Sequence, residues 1–177
     1  MKFVLKNGEE VEIRELDSKA TAKQFRDFFE KIVKEKPQPF ILVDKVPSMK
    51  EEEVWLKGKR EKILKGEMVK LVAWRGKEII GVCDAIRQRG VDRVNAMVGI
   101  SIARQYRGKG LGKKLLVELI KLAKRKLHPR IIYLTVFSGN KPARALYEKV
   151  GFQNVATLPN WSKVRGKYWS HVYMRLK

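Results

Sequence analysis

The sequence is poor in the residues that a metal site or a disulfide framework needs. It holds one cysteine, Cys83, and two histidines, His128 and His171, in 177 residues. A single thiol excludes an internal disulfide, and a zinc site from this set would need carboxylates in an unusual arrangement, so no metal is expected. Cys83 lies in the apolar run EIIGVCDAI and reads as a small buried hydrophobe. A reactive thiolate would need an electropositive, accessible niche. No apolar stretch approaches the length of a bilayer span. The start, MKFVLKNGEEVEIRE, has no apolar core or small-residue cleavage site of a signal peptide, so a cytoplasmic location away from membranes is expected. Internal repeats, low-complexity tracts and linkers are also missing. One domain over residues 1–177 is the expectation, long enough to bury a sizeable core.

Acidic residues are scarce as well. Nineteen Asp and Glu face 40 Lys and Arg, giving a net charge of +21. Such a field draws anions: nucleic acid, phosphorylated cofactors or acidic proteins. Part of the excess reads as a solvated lysine-rich surface of the kind enriched in heat-adapted proteins.

Hydrophobic periodicity orders the elements. Residues 1–6 and 11–16 alternate as strands about an Asn7-Gly8 turn. From Lys19 to Lys34 the pattern is helical, with Phe25, Phe28, Phe29 and Ile32 on one face, and Pro37 and Pro39 end it. FILVDKVPSM reads as an irregular or extended connection. Ser48 and Glu51 form a capping box for a helix running to Leu64, closed by Gly66. Strands at 68–75, 78–88 and 93–103 form an antiparallel meander. A helix follows over 111–127, a strand over 131–137, a short helix over 142–150 stopped by Gly151, and two strands around a loop. The sum is an α+β fold with a mixed, mainly antiparallel sheet and helices on its faces.

Between the meander and the long helix stands Arg107-Gly108-Lys109-Gly110-Leu111-Gly112. A helix N-terminus offers unpaired N–H groups and partial positive charge. Glycines allow close backbone approach and positive φ, and Arg107, Lys109, Lys113 and Lys114 add cations. A phosphate-bearing ligand is the expected guest. No register supplies the nucleotide-triphosphate signature G-x-x-x-x-G-K-[ST], and the spacing G-x-G-x-G departs from the dinucleotide fingerprint.

This segment resembles the acetyl-CoA pyrophosphate loop, [QR]-x-x-G-x-[GA], of the GNAT superfamily of N-acetyltransferases, with Arg107, Gly110 and Gly112 at its fixed positions. A second stretch, LTVFSGNKPARALYEKVGF, is similar to the family's N-x-x-A-x-x-L-Y-x-x-x-G-F element through Asn140, Ala143, Leu146, Tyr147, Gly151 and Phe152. Together they cover residues 100–152.

The resemblance implies a three-layer fold in which a bulged strand splays from its parallel neighbour. The cofactor arm would lie in that gap against Ile100, Ser101 and Ile102, with a backbone N–H aimed at the thioester oxygen. Arg107, Gly108, Lys109, Gly110, Leu111 and Gly112 would hold the pyrophosphate. Asn140 would cap the short helix or contact the cofactor arm. Tyr147 would protonate the departing thiolate; helical spacing alone would make it a core residue with a satisfied hydroxyl.

The implied activity is acetyl transfer from acetyl-CoA to a primary amine by direct attack, without a metal. The general base is open among Asp84, His171 and water, since Thr135 stands where some relatives that acetylate protein N-termini carry glutamate. The acceptor site would lie between Phe25 and Trp55 and between Leu158 and Tyr168, near Phe28, Phe29, Phe40, Trp55, Trp161 and Trp169. Glu51, Glu52 and Glu53 read as a charged first helical turn, which disfavours a polyamine. The charge favours an acidic or nucleic-acid-associated acceptor, a protein amine among the candidates. A basic nucleic-acid-binding module and an acetyl-CoA sensor without turnover are the alternatives. The oligomeric state is not legible.

Overall fold

The computed structural model describes residues 1–35, 45–164 and 166–177. Eight strands form one sheet: β1 (Lys2–Val4), β2 (Glu10–Glu15), β3 (Met68–Arg75), β4 (Glu78–Arg87), β5 (Asn95–Ile102), β6 (Ile131–Phe137), β7 (Phe152–Val164) and β8 (Lys167–Leu176). They lie in the order β1-β2-β3-β4-β5-β6-β8-β7, and every neighbouring pair is antiparallel except β5 with β6. Four α-helices accompany them: α1 (Ala22–Val33), α2 (Met49–Leu64), α3 (Leu111–Leu127) and α4 (Lys141–Val150). The α+β reading with a mixed, mainly antiparallel sheet holds.

Local chemistry sets most boundaries. Ser48 and Glu51 form the capping box of α2, Ser48 N–H donating to Glu51 Oε2 at 2.7 Å. Helix α1 starts at Ala22, not Lys19. Asp17 Oδ1 accepts the Lys19 and Ala20 N–H groups, holding the chain in a turn until Thr21 caps the helix. The first strand is shorter than 1–6 because Leu5 enters the turn, its N–H donating to Glu9 O. Residues Gly90–Val94 form a 3-10 helix, so the third meander strand begins at Asn95. The tail forms the two expected strands, paired antiparallel as a long hairpin. Strand β7 runs to Val164 and absorbs its irregularity in a register shift between Leu158 and Ser162, where Asn160 takes φ +51°. Pro37, Pro39, Phe40 and most of the connection after α1 lie outside the described residues.

The two faces of the sheet are covered differently. On one, Leu111, Leu115, Leu116 and Leu119 of α3 are fully buried against β3, β4 and β5, each contributing roughly 2 kcal/mol of apolar transfer. Gly81 and Cys83 face this side: a Cβ on Gly81 would lie 3.3 Å from Leu115, and Cys83 Sγ donates to the Leu115 carbonyl at 3.6 Å. Burial raises the Cys83 pKa far above the ordinary thiol value, so the thiol is the inert hydrophobe that its sequence context suggests. Helix α4 packs on α3 on the same side. On the other face, α1 lies against β4 and α2 against β3, with Phe25 and Phe28 buried.

Candidate functional site

Strands β5 and β6 pair only at Asn95↔Ile131, Ala96↔Ile132 and Met97↔Tyr133. Beyond Met97 they diverge, opening a gap between the C-terminal halves of the two parallel strands. A bulge in β5 was the expected cause. Against β4, however, β5 keeps unbroken register from Gly81↔Ile102 to Arg87↔Ala96. Strand β5 thus stays with β4, and it is β6 that departs, held by its pairing to β8 from Tyr133 to Phe137.

Hydrogen-bond phase decides which backbone groups line the gap. Ala103 N–H donates to Ile80 O and Gln88 N–H to Asn95 O. Antiparallel bonding alternates, so the odd-numbered residues of β5 bond to β4 and the even-numbered ones point their N–H and C=O toward β6. Val98, Ile100 and Ile102 therefore present backbone to the gap. The backbone of Ser101 is committed to β4, contrary to the expectation that it meets a ligand there. Val98, which the same alternation turns toward β6, was not among the residues expected there. The Ile102 carbonyl is occupied by Arg107 Nε at 2.8 Å.

The glycine loop enters α3 beside this gap. Gly108 and Gly110 take φ +73° and +89°, a region that costs other residues strain, and a Cβ on Gly108 would meet only open space. Gly110 is the N-cap of α3 and offers no side chain to its first-turn N–H groups, so those of Leu111, Gly112 and Lys113 remain for an incoming anion. The donor set suits a pyrophosphate.

Gly112 has a different reason. A Cβ there would sit 2.9 Å from Leu146 Cδ2 and 3.2 Å from Ile102 Cδ1, so this glycine lets α3, α4 and β5 approach one another. Gly112→Ala is expected to cost about 1–2 kcal/mol, read from urea unfolding, while the loop N–H groups stay in place.

The cations around the loop are partly engaged. Arg107 pairs with Glu35 at 2.8 Å, Glu35 also accepts the Arg104 N–H, and Lys114 pairs with Glu118 at 3.2 Å. Lys109 lies over the Tyr106 ring. Arg107 thus fastens the loop to the end of α1 and to β5.

On α4, Asn140 Oδ1 accepts the Ala143 N–H at 3.2 Å, capping the helix and leaving Nδ2 for a ligand. Tyr147 is buried against Phe152, and burial pushes its phenol up to about 12. Its hydroxyl makes no hydrogen bond among the described residues.

The opposite face holds charges that the sequence hid. Lys70, Asp84 and Gly99 stand in one row across β3, β4 and β5. Lys70, 2% exposed, donates to Asp84 at 2.8 Å and lies over the Trp55 ring at 5.1 Å. Asp84 is neither a surface nor a turn residue, and its ion pair engages it. Glu51 caps α2 and Glu53 is exposed, but Glu52 is only 3% exposed. Its Oε1 has no hydrogen-bond partner among the described residues. Desolvation lifts its carboxyl to about 7 against the pull of Lys70.

His171 lies on β8 opposite Phe137, edge-on to that ring at 4.6 Å, with Nε2 buried and without a hydrogen-bond partner among the described residues; burial lowers its pKa. Of the aromatics expected near an acceptor, Phe28 is core, Phe29 and Trp55 pack together, and Trp169 meets Phe137. Trp161 is 59% exposed on the β7–β8 hairpin.

Residues 23–152 match the Acetyltransferase (GNAT) family. The chain belongs to that family. Among its relatives, the N-alpha-acetyltransferase RimI of Mycobacterium tuberculosis is 37% identical over 67 residues, 38% of this chain and 40% of that protein. The spermine/spermidine N(1)-acetyltransferase of Bacillus subtilis is 44% identical over 52 residues, 29% and 34% of the two chains. The matches with RimI and two archaeal N-alpha-acetyltransferases span about two fifths of those proteins' length. The YncA structure from Salmonella typhimurium, solved with acetyl-CoA, superposes with a TM-score of 0.79 at 22% identity, covering 94% of this chain and 93% of that one; it shares the GNAT fold. No helix among the described residues is long and apolar enough to cross a membrane.

Proposed function

We propose that the protein transfers an acetyl group from acetyl-CoA to an amine by direct attack in a ternary complex. The observation that carries this reading is the junction of the β5–β6 gap with the uncapped, glycine-led N-terminus of α3. The two features together suit a long thioester with a pyrophosphate at one end. Acetyl-CoA, when bound, supplies the activated acyl group; the chain supplies the rest.

The N–H groups of Leu111, Gly112 and Lys113, with the loop backbone from Arg107 to Gly110, hold the pyrophosphate. Val98, Ile100 and Ile102 offer edge backbone groups to the arm, and an N–H there polarises the acyl carbonyl. Asn140 Nδ2 binds the arm. Tyr147 delivers a hydrogen bond, and then its proton, to the sulfur as the C–S bond breaks. A phenol held near 12 keeps that proton throughout the neutral range. It is a weaker acid than a thiol of pKa about 8.5, so it acts first as a hydrogen-bond donor to the developing thiolate, and its proton passes to sulfur only as the phenolate is refilled by the proton that the acylated amine loses.

Free-thiol release from acetyl-CoA tests the reading with three probe amines: spermidine, a peptide with N-terminal alanine, and L-alanine. Release above the amine-free rate is expected with at least one. No stimulation by any of them would overturn it.

A further inference from the structure

We infer that the end of the molecule opposite the glycine loop binds the phosphate backbone of double-stranded RNA, through Arg89, Arg93, Lys124, Arg125 and Arg130. This does not depend on the transferase reading, which uses the other end of α3.

The charge is lopsided along the chain. Over residues 101–177, 18 Lys and Arg face two acidic residues, Glu118 and Glu148, whereas the first hundred residues hold 22 against 17. Such asymmetry points to a polyanionic partner. A bound cofactor accounts only for the cations of the glycine loop. Helix α3 is 17 residues long, so its C-terminus lies about 25 Å from the first-turn N–H groups. At physiological salt, exposed charges are screened over about 8 Å, so cations at that end act on a different ligand.

Long-range bonds gather the five side chains there. Arg87 donates to the Leu127 carbonyl at 2.6 Å and to the Arg93 carbonyl at 3.4 Å, tying the last turn of α3 to the 3-10 helix Gly90–Val94. The Arg130 N–H donates to Val94 O at 2.7 Å, so the chain enters β6 beside the same 3-10 helix. All five side chains are exposed, and none makes an ion pair or hydrogen bond among the described residues. The helix dipole favours Lys124 and Arg125 at the end of α3, but Arg89, Arg93 and Arg130 lie on other segments and owe it nothing. Carboxylates do not balance them. Glu118 is taken by Lys114 and Lys121 and Glu15 by Lys126, which leaves Asp92 and Glu67 against five cations. Four of the five are arginine, whose guanidinium grips phosphate oxygens in pairs.

The kind of nucleic acid follows from what the patch omits. Binders of single strands offer rings on which bases stack. The exposed aromatics Trp161 and Tyr168 are on the β7–β8 hairpin. Its tip lies beyond the Phe137 end of β6, away from Arg130. Readers of DNA insert a helix or a ribbon into the major groove. This patch is made of a helix C-terminus, a 3-10 turn and the start of a strand, none of which projects as such an element. Duplex RNA is held through its phosphates and 2′-hydroxyls, with no element entering its deep groove.

Fluorescence anisotropy with a labelled RNA duplex of about 16 base pairs tests the inference. The wild type should bind with a micromolar Kd at low salt, and log Kd should rise with log salt with a slope of about 4. The variant Arg93→Gln/Arg125→Gln/Arg130→Gln should bind at least about 10-fold more weakly, with the slope lowered by about 3. Its circular dichroism and its acetyl-CoA affinity by calorimetry should match the wild type. Lys19→Gln/Lys50→Gln/Lys57→Gln removes the same net charge from exposed sites elsewhere and should stay within about threefold. Equal weakening by both triple variants would make the binding a property of net charge and overturn the patch. Tighter binding of the single strand, of a DNA duplex of the same sequence, of poly-L-glutamate or of phosphatidylserine vesicles would overturn the assignment to duplex RNA. No binding of the duplex by the wild type would overturn the inference outright and leave the transferase reading standing.

Discussion

Tyr147→Phe should lower kcat by about 100-fold while leaving KM for acetyl-CoA within about twofold, an effect in the range of a lost acid–base group. The substitution removes one oxygen and keeps the ring. The edge-on contact with Phe152, 6.0 Å between centroids, survives, so stability should shift little. No described residue accepts a hydrogen bond from the hydroxyl, so none is orphaned. The loss should be smallest when the leaving thiolate needs least help. Paired rates for acetyl-CoA and an acetyl thioester of a more acidic thiol would show the variant recovering on the second. Equal losses on both would assign Tyr147 to packing.

The second large effect concerns stability. Lys70→Met should destabilise the fold by about 3 kcal/mol, measured by urea unfolding at pH 7.5. The ammonium is 2% exposed and bonded to Asp84 at 2.8 Å; removing it leaves two carboxylates, Asp84 and Glu52, facing a site with no central cation. Breaking a buried pair from one side costs about 3–5 kcal/mol because the remaining charge stays desolvated. Asp84 keeps some solvent access, which places the expectation at the low end. The double variant Lys70→Met/Asp84→Asn should recover more than half of the loss. If the single variant unfolds like the wild type, the row across β3, β4 and β5 is not held by this charge pair.

Glu52 reports through pH with the opposite sign from a salt-bridged carboxylate. Its folded-state pKa is raised from the ordinary 4.5 to about 7. The folded protein therefore holds the proton more tightly than the unfolded chain. The resulting stability is complete below the unfolded pKa and is lost as pH rises through the folded one. Glu52→Gln should therefore gain Tm at pH 8 and not at pH 5, read from thermal melts at the two pH values.

The sequence was informative wherever chemistry is local. Ser48 with Glu51, Asn7-Gly8, Gly66 and Gly151 set their turns and caps through bonds spanning a few residues, and strand alternation and helical spacing gave the element order. What stayed hidden was of two kinds. Some of it is long-range: Arg107 meets Glu35, and Lys70 meets Asp84, across separations that no window of sequence reveals. The rest was phase. Glu51-Glu52-Glu53 reads as a charged turn, yet Glu52 shares a helical face with Leu56, four residues on. That spacing places it inward. Ser101 likewise sits between Ile100 and Ile102 in sequence but presents its backbone to the opposite edge. Gly112 reads as a ligand-loop glycine because it lies two residues from Gly110, but the close approach of Leu146 from another helix, which also demands a glycine there, is invisible in that spacing.

The central claim is that acetyl-CoA binds where α3 begins, and a calorimetric titration tests it most directly. Wild-type protein should bind acetyl-CoA with a Kd in the micromolar range at moderate salt. Gly110→Glu should lose at least about 100-fold, because it sets a carboxylate and a strained φ at the uncapped helix N-terminus. Circular dichroism would show that the variant remains folded. Equal binding by a folded Gly110→Glu variant, or no binding by the wild type, would contradict the account.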